Sequence, residues 1–345
     1  MTLTRRLFTQ SLLAGTAAGL AAPAIAQGKT SLKMILNWRY QGPQAWFFLA
    51  QDKGYFDEAG IDMTMDQGNG SGAAVGQVAS GAYDVGFGDV NALIQLAATN
   101  PEEAPLCVYQ MYNQPPFTVA VLQTSDIMDA KDLEGRTLGG AANDGALKLF
   151  PAFAKVAGID TSGIEITNFQ SNLREQMLKS GQVEGVFGYV NTIRFSAMLS
   201  GMDPDTEIRF INYGDYGMDL YSNGMIVPKA MAENDPELVK GMNWAINQAI
   251  KDTIADMDAA IDAVAKREPL INKEVEKARL IATLKDEMNH PEVAEYGLGD
   301  VDPARFKTAI DIVVDANDLP RTPEPSEIFS DAFLPAPEDR IYKLL

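Results

Sequence analysis

From Leu32 to Met111 short apolar runs with strand character alternate with short amphipathic ones. Leu32–Leu36, Ile61–Met65, Tyr83–Phe87 and Leu106–Met111 read as strands. Between them, Gln44–Asp57, Ala73–Ala79 and Asn91–Ala98 read as helices; the first carries the stripe Phe47, Phe48, Ala50 and Tyr55 and ends near Gly54. Strands separated by short helices are what a parallel sheet requires, because parallel neighbours need a crossover between them. The pattern therefore predicts an α/β doubly wound unit.

The rhythm then breaks and restarts. "PPFTVAVLQ" (115–123) is extended, and "DAKDLEGRTLGG" (129–140) leads into a new strand. Helices over Gly145–Gly158, Asn172–Ser180 and Thr192–Leu199 alternate with strands Ile164–Phe169 and Val183–Tyr189. "LYSNGMIVPK" (220–229) reads as a return crossing. Beyond it, 237–265, 272–288 and 303–317 have helical periodicity, opened by Asp235-Pro236-Glu237, a cap followed by proline and an acid. The tail from Leu319 holds five prolines and is expected to wrap a surface. Two α/β units joined by two extended crossings predict a two-lobe clamshell. Each lobe is a mostly parallel sheet flanked by helices. Lobe 1 is expected to hold 27–116 plus 224–345, and lobe 2 to hold 117–223.

Residues 1–26 read as a secretory leader. Arg5-Arg6-Leu7-Phe8 precedes a small, apolar, uncharged run, and Ala24-Ile25-Ala26 is a small-residue cleavage site. The paired arginines predict the twin-arginine route; an ordinary leader with two arginines is the alternative. No later segment reaches the ~20 apolar residues of a membrane span. The mature chain is thus expected in the periplasm, soluble and without a lipid anchor, since Cys107 is the sole cysteine. Loss of Arg5 and Arg6 takes the net charge from −19 to −21. Such an acidic chain has no electrostatic footprint for nucleic acid or for an anionic membrane surface, and is expected to be a monomer.

The turn "DQGNGSGAAVG" (66–76) contains Gly68-x-Gly70-x-x-Ala73, a loose match to a dinucleotide fingerprint. Outside the cytoplasm free dinucleotide is scarce, so another use is expected. Ligands of open α/β sheets sit beyond the carboxyl ends of the strands. A glycine turn there puts backbone N–H groups and a helix start beside the cleft. The same rule picks the candidate ligand contacts. Lobe 1 offers Asn37, Trp38, Tyr40, Asn69, Gly70, Ser71, Asp89 and Asn91. The first crossing adds Tyr112 and Phe117. Lobe 2 adds Asn143, Asp144, Asn168, Tyr189 and Asn191, and the return crossing adds Tyr221 and Asn223.

"LNWRYQGPQAWFFLAQDKGYFDEAGIDMTM" followed by "GNGSGAAVGQVASGAYDVGFGD" resembles the periplasmic substrate-binding proteins of ABC importers, in the branch with taurine/sulfonate, nitrate and thiamin-pyrimidine binders. "KDLEGRTLGG" is similar to the opening of that family's second lobe, and "GYV" (188–190) to the end of a later strand. The resemblance implies a type II periplasmic binding protein. It would close on a small solute and dock on an ABC permease served by a separate ATPase. Presentation of the ligand to a sensor kinase is an alternative. Fungal thiamin-pyrimidine synthases share the resemblance, which for them implies a catalytic histidine, a lysine-bound cofactor and a cysteine-rich motif. Here Cys107 and His290 are single, and no cluster has metal-ligand spacing. The expectation is therefore a binding protein that is not an enzyme, with no cofactor and no metal.

The candidate set is rich in rings and amides, which suits a flat, polar, partly apolar molecule. Asp89 and Asp144 would accept hydrogen bonds from ring N–H or amino groups. This favours an N-heterocycle, pyrimidine-like, or another aromatic nutrient. A sulfonate or other anion is the alternative, with Arg39 and Arg194 as its cations.

Overall fold

The computed structural model describes residues 28–345; the leader expected over 1–26 lies outside the described residues. Among the described residues ten strands form two five-stranded sheets. In chain order they are β1 (Thr30–Ile35), β2 (Ile61–Asp66), β3 (Val85–Asp89), β4 (Leu106–Gln110), β5 (Phe117–Leu122), β6 (Thr137–Gly140), β7 (Glu165–Asn168), β8 (Gly185–Tyr189), β9 (Ile208–Asn212) and β10 (Asn223–Val227). The first sheet has the order β2-β1-β3-β10-β4 and the second β7-β6-β8-β5-β9. In each, the strand that arrives from a crossing inserts against its neighbours: β10 is antiparallel to β3 and β4, and β5 to β8 and β9. The other strands of each sheet run one way, so the two lobes repeat one plan.

That insertion positions the cleft. A strand from the other lobe begins where the parallel strands end, so its first residue meets their last. Asn223 pairs with Asp89, and Phe117 pairs with Tyr189. β3 and β8 are buried throughout, as strands covered on both faces must be.

Several expected elements shift or divide. The helix expected over Gln44–Asp57 is Ala45–Asp52 followed by Tyr55–Glu58. Gly54, at φ +78°, separates them in a left-handed turn that glycine permits. The segment 237–265 is two helices, Pro236–Ala255 and Met257–Arg267; Asp256 leaves the helical conformation and caps the second through Ala259 N. β9 was not anticipated. It is an edge strand whose exposed and buried positions are mixed, so it lacks the apolar run of an inner strand.

The C-terminal helices cover lobe 1 and also reach lobe 2. Lys273–Asp286 packs on Val190–Leu199, and Pro303–Ala316 packs on both Val90–Thr99 and Gly145–Ala157. Lys155 Nζ adds bonds of 2.6 Å to Asp315 O and to Asp318 Oδ1. The crossings themselves meet one buried polar group. Glu292 accepts from Asn113 Nδ2 at 2.5 Å and from Tyr221 Oη at 2.6 Å. Arg305 donates to Glu292 (3.2 Å), to Asn113 O (2.7 Å) and to Asp219 (2.7 Å). Among the described residues no helix is long and apolar enough to cross a membrane.

Candidate ligand cleft

The lobes meet along the strand ends and enclose a cavity of about 30 Å3. That is the scale of one or two water molecules, well below the ~300–1,000 Å3 of pockets that bury organic ligands. The lobes must part to admit such a ligand. Lobe 1 lines the cavity with Asn37, Trp38, Gln41, Pro43, Gln44, Gly70, Ser71 and, at the crossing, Tyr112. Lobe 2 supplies Asp144, Gly145, Arg174, Tyr189 and Thr192, and Glu287 enters from the C-terminal helices.

Tyr189 is the main cross-lobe contact. Its hydroxyl lies 2.8 Å from Ser71 Oγ and 2.9 Å from Ser222 Oγ, and donates to Asn223 Oδ1 at 3.0 Å. Phe117 stands edge-on to the Tyr189 ring at 5.4 Å, which fixes its tilt from behind. A Cβ added at Gly145 would fall 2.9 Å from Ser71 Oγ, 3.1 Å from Tyr189 Oη and 3.2 Å from Asp89 Oδ2. Only a residue without a side chain lets lobe 2 sit this close.

The glycine turn does a different job from the one expected. Gly68 N donates to Trp38 O (3.0 Å) and Gly70 N to Asn37 O (3.1 Å), so these N–H groups hold the segment just after β1 rather than face a ligand. A Cβ on Gly70, at φ +153°, would lie 2.1 Å from Asn143 O in lobe 2. The glycine permits close approach between lobes.

Asp89 is buried at the end of β3, where it caps helix Val90–Thr99 through Asn91 N (3.1 Å) and accepts from Asn91 Nδ2 (2.7 Å). Burial raises its carboxyl to about 7, aided by the Asp144 charge and opposed by the Asn91 bonds. Asp144 caps helix Gly145–Ala157 through Ala146 N at 2.9 Å. Burial raises it too, against the pull of Arg174, whose Nη1 is 4.0 Å from Asp144 Oδ2. Burial likewise raises Glu287 to about 7.

Of the seventeen residues expected at the site, Asn37, Trp38, Gly70, Ser71, Tyr112, Asp144 and Tyr189 line the cavity. Asp89, Phe117 and Asn223 stand directly behind this lining. The others do not reach it. Tyr40 donates to Met65 O at 2.7 Å and packs on Phe48 within lobe 1. Asn91 turns back to Asp89 and to Tyr221 O (2.6 Å). Tyr221 belongs to the Glu292–Arg305 group at the crossings, with Arg305 4.1 Å from its ring centre. Asn69, Asn143 and Asn168 are exposed. Asn191 is buried beside the cleft with an Nδ2 that has no acceptor.

The arginines expected to serve an anion are also elsewhere. Arg39 is exposed, and Arg194 pairs with Asp205. The cleft arginine is Arg174, 3% exposed, whose guanidinium stands 5.9 Å from the Trp38 ring centre. Gly188 makes its place, since a Cβ there would lie 2.5 Å from Arg174 Nη1. Arg174 opens the short helix Arg174–Lys179 that follows β7, and the glycine before Tyr189 was its only trace in the sequence. Glu287 follows helix Lys273–Asp286, and nothing in the local pattern marked it. Cys107 is buried in β4, where burial pushes its thiol to about 12. His290 lies near the crossings, its Nδ1 accepting from Glu292 N at 3.3 Å.

A family model described as "NMT1/THI5 like" matches residues 43–260. A relative from Aspergillus parasiticus, a 4-amino-5-hydroxymethyl-2-methylpyrimidine phosphate synthase, is 21% identical over 255 residues, covering 71% of this chain and 73% of its own. A protein of the same name from Legionella pneumophila is 21% identical over 248 residues, covering 71% and 76%. Among solved structures, the alkanesulfonate-binding protein SsuA from Xanthomonas axonopodis pv. citri, bound to MOPS, superposes with a TM-score of 0.66 at 15% identity, over 88% of this chain and 99% of that one. This likeness shows the fold, a two-lobe periplasmic binding protein. The expectation of a protein that is not an enzyme is corrected by the first two relatives, which carry the name of an enzyme.

Proposed function

The chain belongs to the NMT1/THI5-like family, and on that premise we propose that it binds a flat nitrogen heterocycle, pyrimidine-like, by closing its lobes around it. The observation that carries this reading is the lining. Trp38 and Tyr112 from lobe 1 and Tyr189 from lobe 2 supply ring faces, and Asp144 and Glu287 supply acceptors for N–H groups. The relatives named for a pyrimidine phosphate support the ring chemistry. The site serves an exported protein that passes its ligand to an ABC permease with a separate ATPase. Closure follows from differential binding, because only the closed form brings both sets of groups to the ligand. A micromolar Kd corresponds to about −8 kcal/mol, within reach of a few buried rings and satisfied hydrogen bonds.

The relatives' names favour a second reading, in which the same cleft makes such a pyrimidine. One experiment addresses both. Thermal unfolding is followed with aminopyrimidines, aromatic acids, taurine and nitrate, and the solution is analysed by mass spectrometry for any pyrimidine formed. A ligand at about 100 times its Kd stabilises the folded state by about 2.7 kcal/mol. Stabilisation by aminopyrimidines and not by taurine or nitrate is expected. Stabilisation by taurine alone would refute the heterocycle reading, and release of new pyrimidine would establish the second.

A further inference from the structure

Resting on that reading and deepening it, we propose that the cleft selects its ring as an organic cation, with an amidine-like N–C–N edge whose charge Asp144 and Glu287 balance. The argument is an inventory of the buried charges around the cavity. Each guanidinium has a carboxylate beside it, although Arg279 Nε and Nη2 are buried without a hydrogen-bond partner. Arg174 donates Nε and Nη2 to Glu175 Oε1 at 3.0 and 2.9 Å. Arg279 Nε lies 3.1 Å from Glu276 Oε2. Asp89, Asp144 and Glu287 remain, at 2%, 5% and 4% exposure. Among the described residues no ion pair reaches Asp89 or Glu287, and Asp144 has only the 4.0 Å contact to the already paired Arg174.

A buried carboxylate without a partner is costly, and it meets the cost by taking a proton or a cation. The raised pKa values of all three groups express the first choice. A cationic ligand offers the second, replacing those protons with its own N–H donors. An anion would add another negative charge beside these carboxyls, with Arg174 Nη1, which Glu175 does not occupy, as a cationic donor at the cavity. Glu287 carries this furthest: it lines the cavity, is more than nine-tenths buried, and has no ion-pair partner among the described residues, only the neutral Thr283 and Asn191 side chains beside its carboxyl. Beside the cleft, Asn191 and Asn223 each keep an Nδ2 without an acceptor. They would suit ring nitrogens on the ligand's other edge.

The test uses one ring with four charges. Benzamidine, benzamide, benzoate and benzenesulfonate are titrated calorimetrically into the full mature protein at neutral pH. Benzamidine should bind at least tenfold more tightly than benzamide, and the two anions should give no heat. Asp144→Asn and Glu287→Gln should each weaken benzamidine at least tenfold while moving benzamide less than threefold. Unliganded melting temperatures check that both variants fold. Trp38→Ala should weaken every binder, which places binding in this cleft. Equal binding of benzamide and benzamidine, or binding of either anion, overturns the charge assignment and leaves the heterocycle reading standing. So does an aminopyrimidine that binds both carboxyl variants as well as the parent. If neither these probes nor the aminopyrimidines bind, the heterocycle reading itself falls.

Discussion

Replacing Asp89 by Asn should make the protein more stable at pH 8 than its parent, with a gain that fades toward pH 4. The reason is the burial of this carboxyl at the end of β3, which holds it at about 7 in the folded chain. In the unfolded chain an aspartate titrates near 3.9. A group raised in the folded state contributes stability below its unfolded pKa and loses it as pH rises to the folded value. For Asp89 the losing window is therefore about 4 to 7, roughly three units, worth about 4 kcal/mol in full at ~1.36 kcal/mol per unit. Between pH 5 and pH 8 about two of those units remain, or about 3 kcal/mol. Asn keeps an Oδ1 to accept from Asn91 and ranks with Asp as a helix cap, so the cap is preserved. Any pH-independent change cancels when the two pH values are compared. Urea unfolding of parent and variant at pH 5 and pH 8 measures the difference directly. A stability difference that changes by less than ~1 kcal/mol between the two pH values would refute the claim that burial holds the Asp89 carboxyl near 7 in the folded chain.

Gly70→Ala should wedge the lobes apart, since its Cβ would meet Asn143 O at 2.1 Å; small-angle scattering should show a larger radius of gyration, and a parent-like radius would show that the turn does not set closure. Tyr189→Phe keeps the ring and removes the hydroxyl contacts to Ser71, Ser222 and Asn223. At ~0.5–1.5 kcal/mol net per bond, ligand affinity should fall roughly tenfold or more, and an unchanged Kd would mean that the contacts do not hold the closed form. Cys107, with its thiol near 12, should resist iodoacetamide at pH 8 in the folded chain and react in urea; rapid native labelling would contradict its burial. Residues 1–30 fused to a folded reporter should direct export, and Arg5→Lys with Arg6→Lys should stop it; continued export of the double variant would rule out the twin-arginine route.

The parts legible in the sequence are those that depend on period and order. Alternating strands and helices gave the two α/β units, and the extended 115–123 and 220–229 segments contain the inserted strands β5 and β10. The strand-end rule then brought Trp38 and Tyr189 to one cavity from distant parts of the chain, with Asp89 behind its lining. It could not give side-chain direction. Asn91 and Tyr221 sit at strand ends too, yet a half-turn of backbone aims them at buried partners behind the cleft. Asn168 ends β7, but β7 is an edge strand, and its end faces solvent. Arg174 and Glu287 were missed for another reason. Their place in the cleft depends on how a loop of lobe 2 and a C-terminal helix pack across the seam, and no local pattern encodes that packing.

Glu287 also ties recognition to the hinge. Its backbone carbonyl accepts from Gln114 N at 3.0 Å, while its side chain lines the cavity. Gln114 is the only residue of the first crossing between anchored Asn113 and β5 that has an N–H, because Pro115 and Pro116 have none. On the lobe 1 side Asn113 is fixed by Glu292 and Arg305. The second crossing is fixed by the same pair at Asp219 and Tyr221, and on the lobe 2 side by Tyr213, which donates to Ala146 O at 2.9 Å and stacks on Phe153, so its free length is short, around Gly217 at φ +94°. A rotation of lobe 2 would therefore bend the chain at 114–116 and around Gly217. The first of these pulls on the Gln114–Glu287 bond. A rotation that opens the lobes would thus act on a residue whose carboxyl side chain lines the cavity. By the same geometry, a ligand that holds this carboxyl in place resists the bend that would release it.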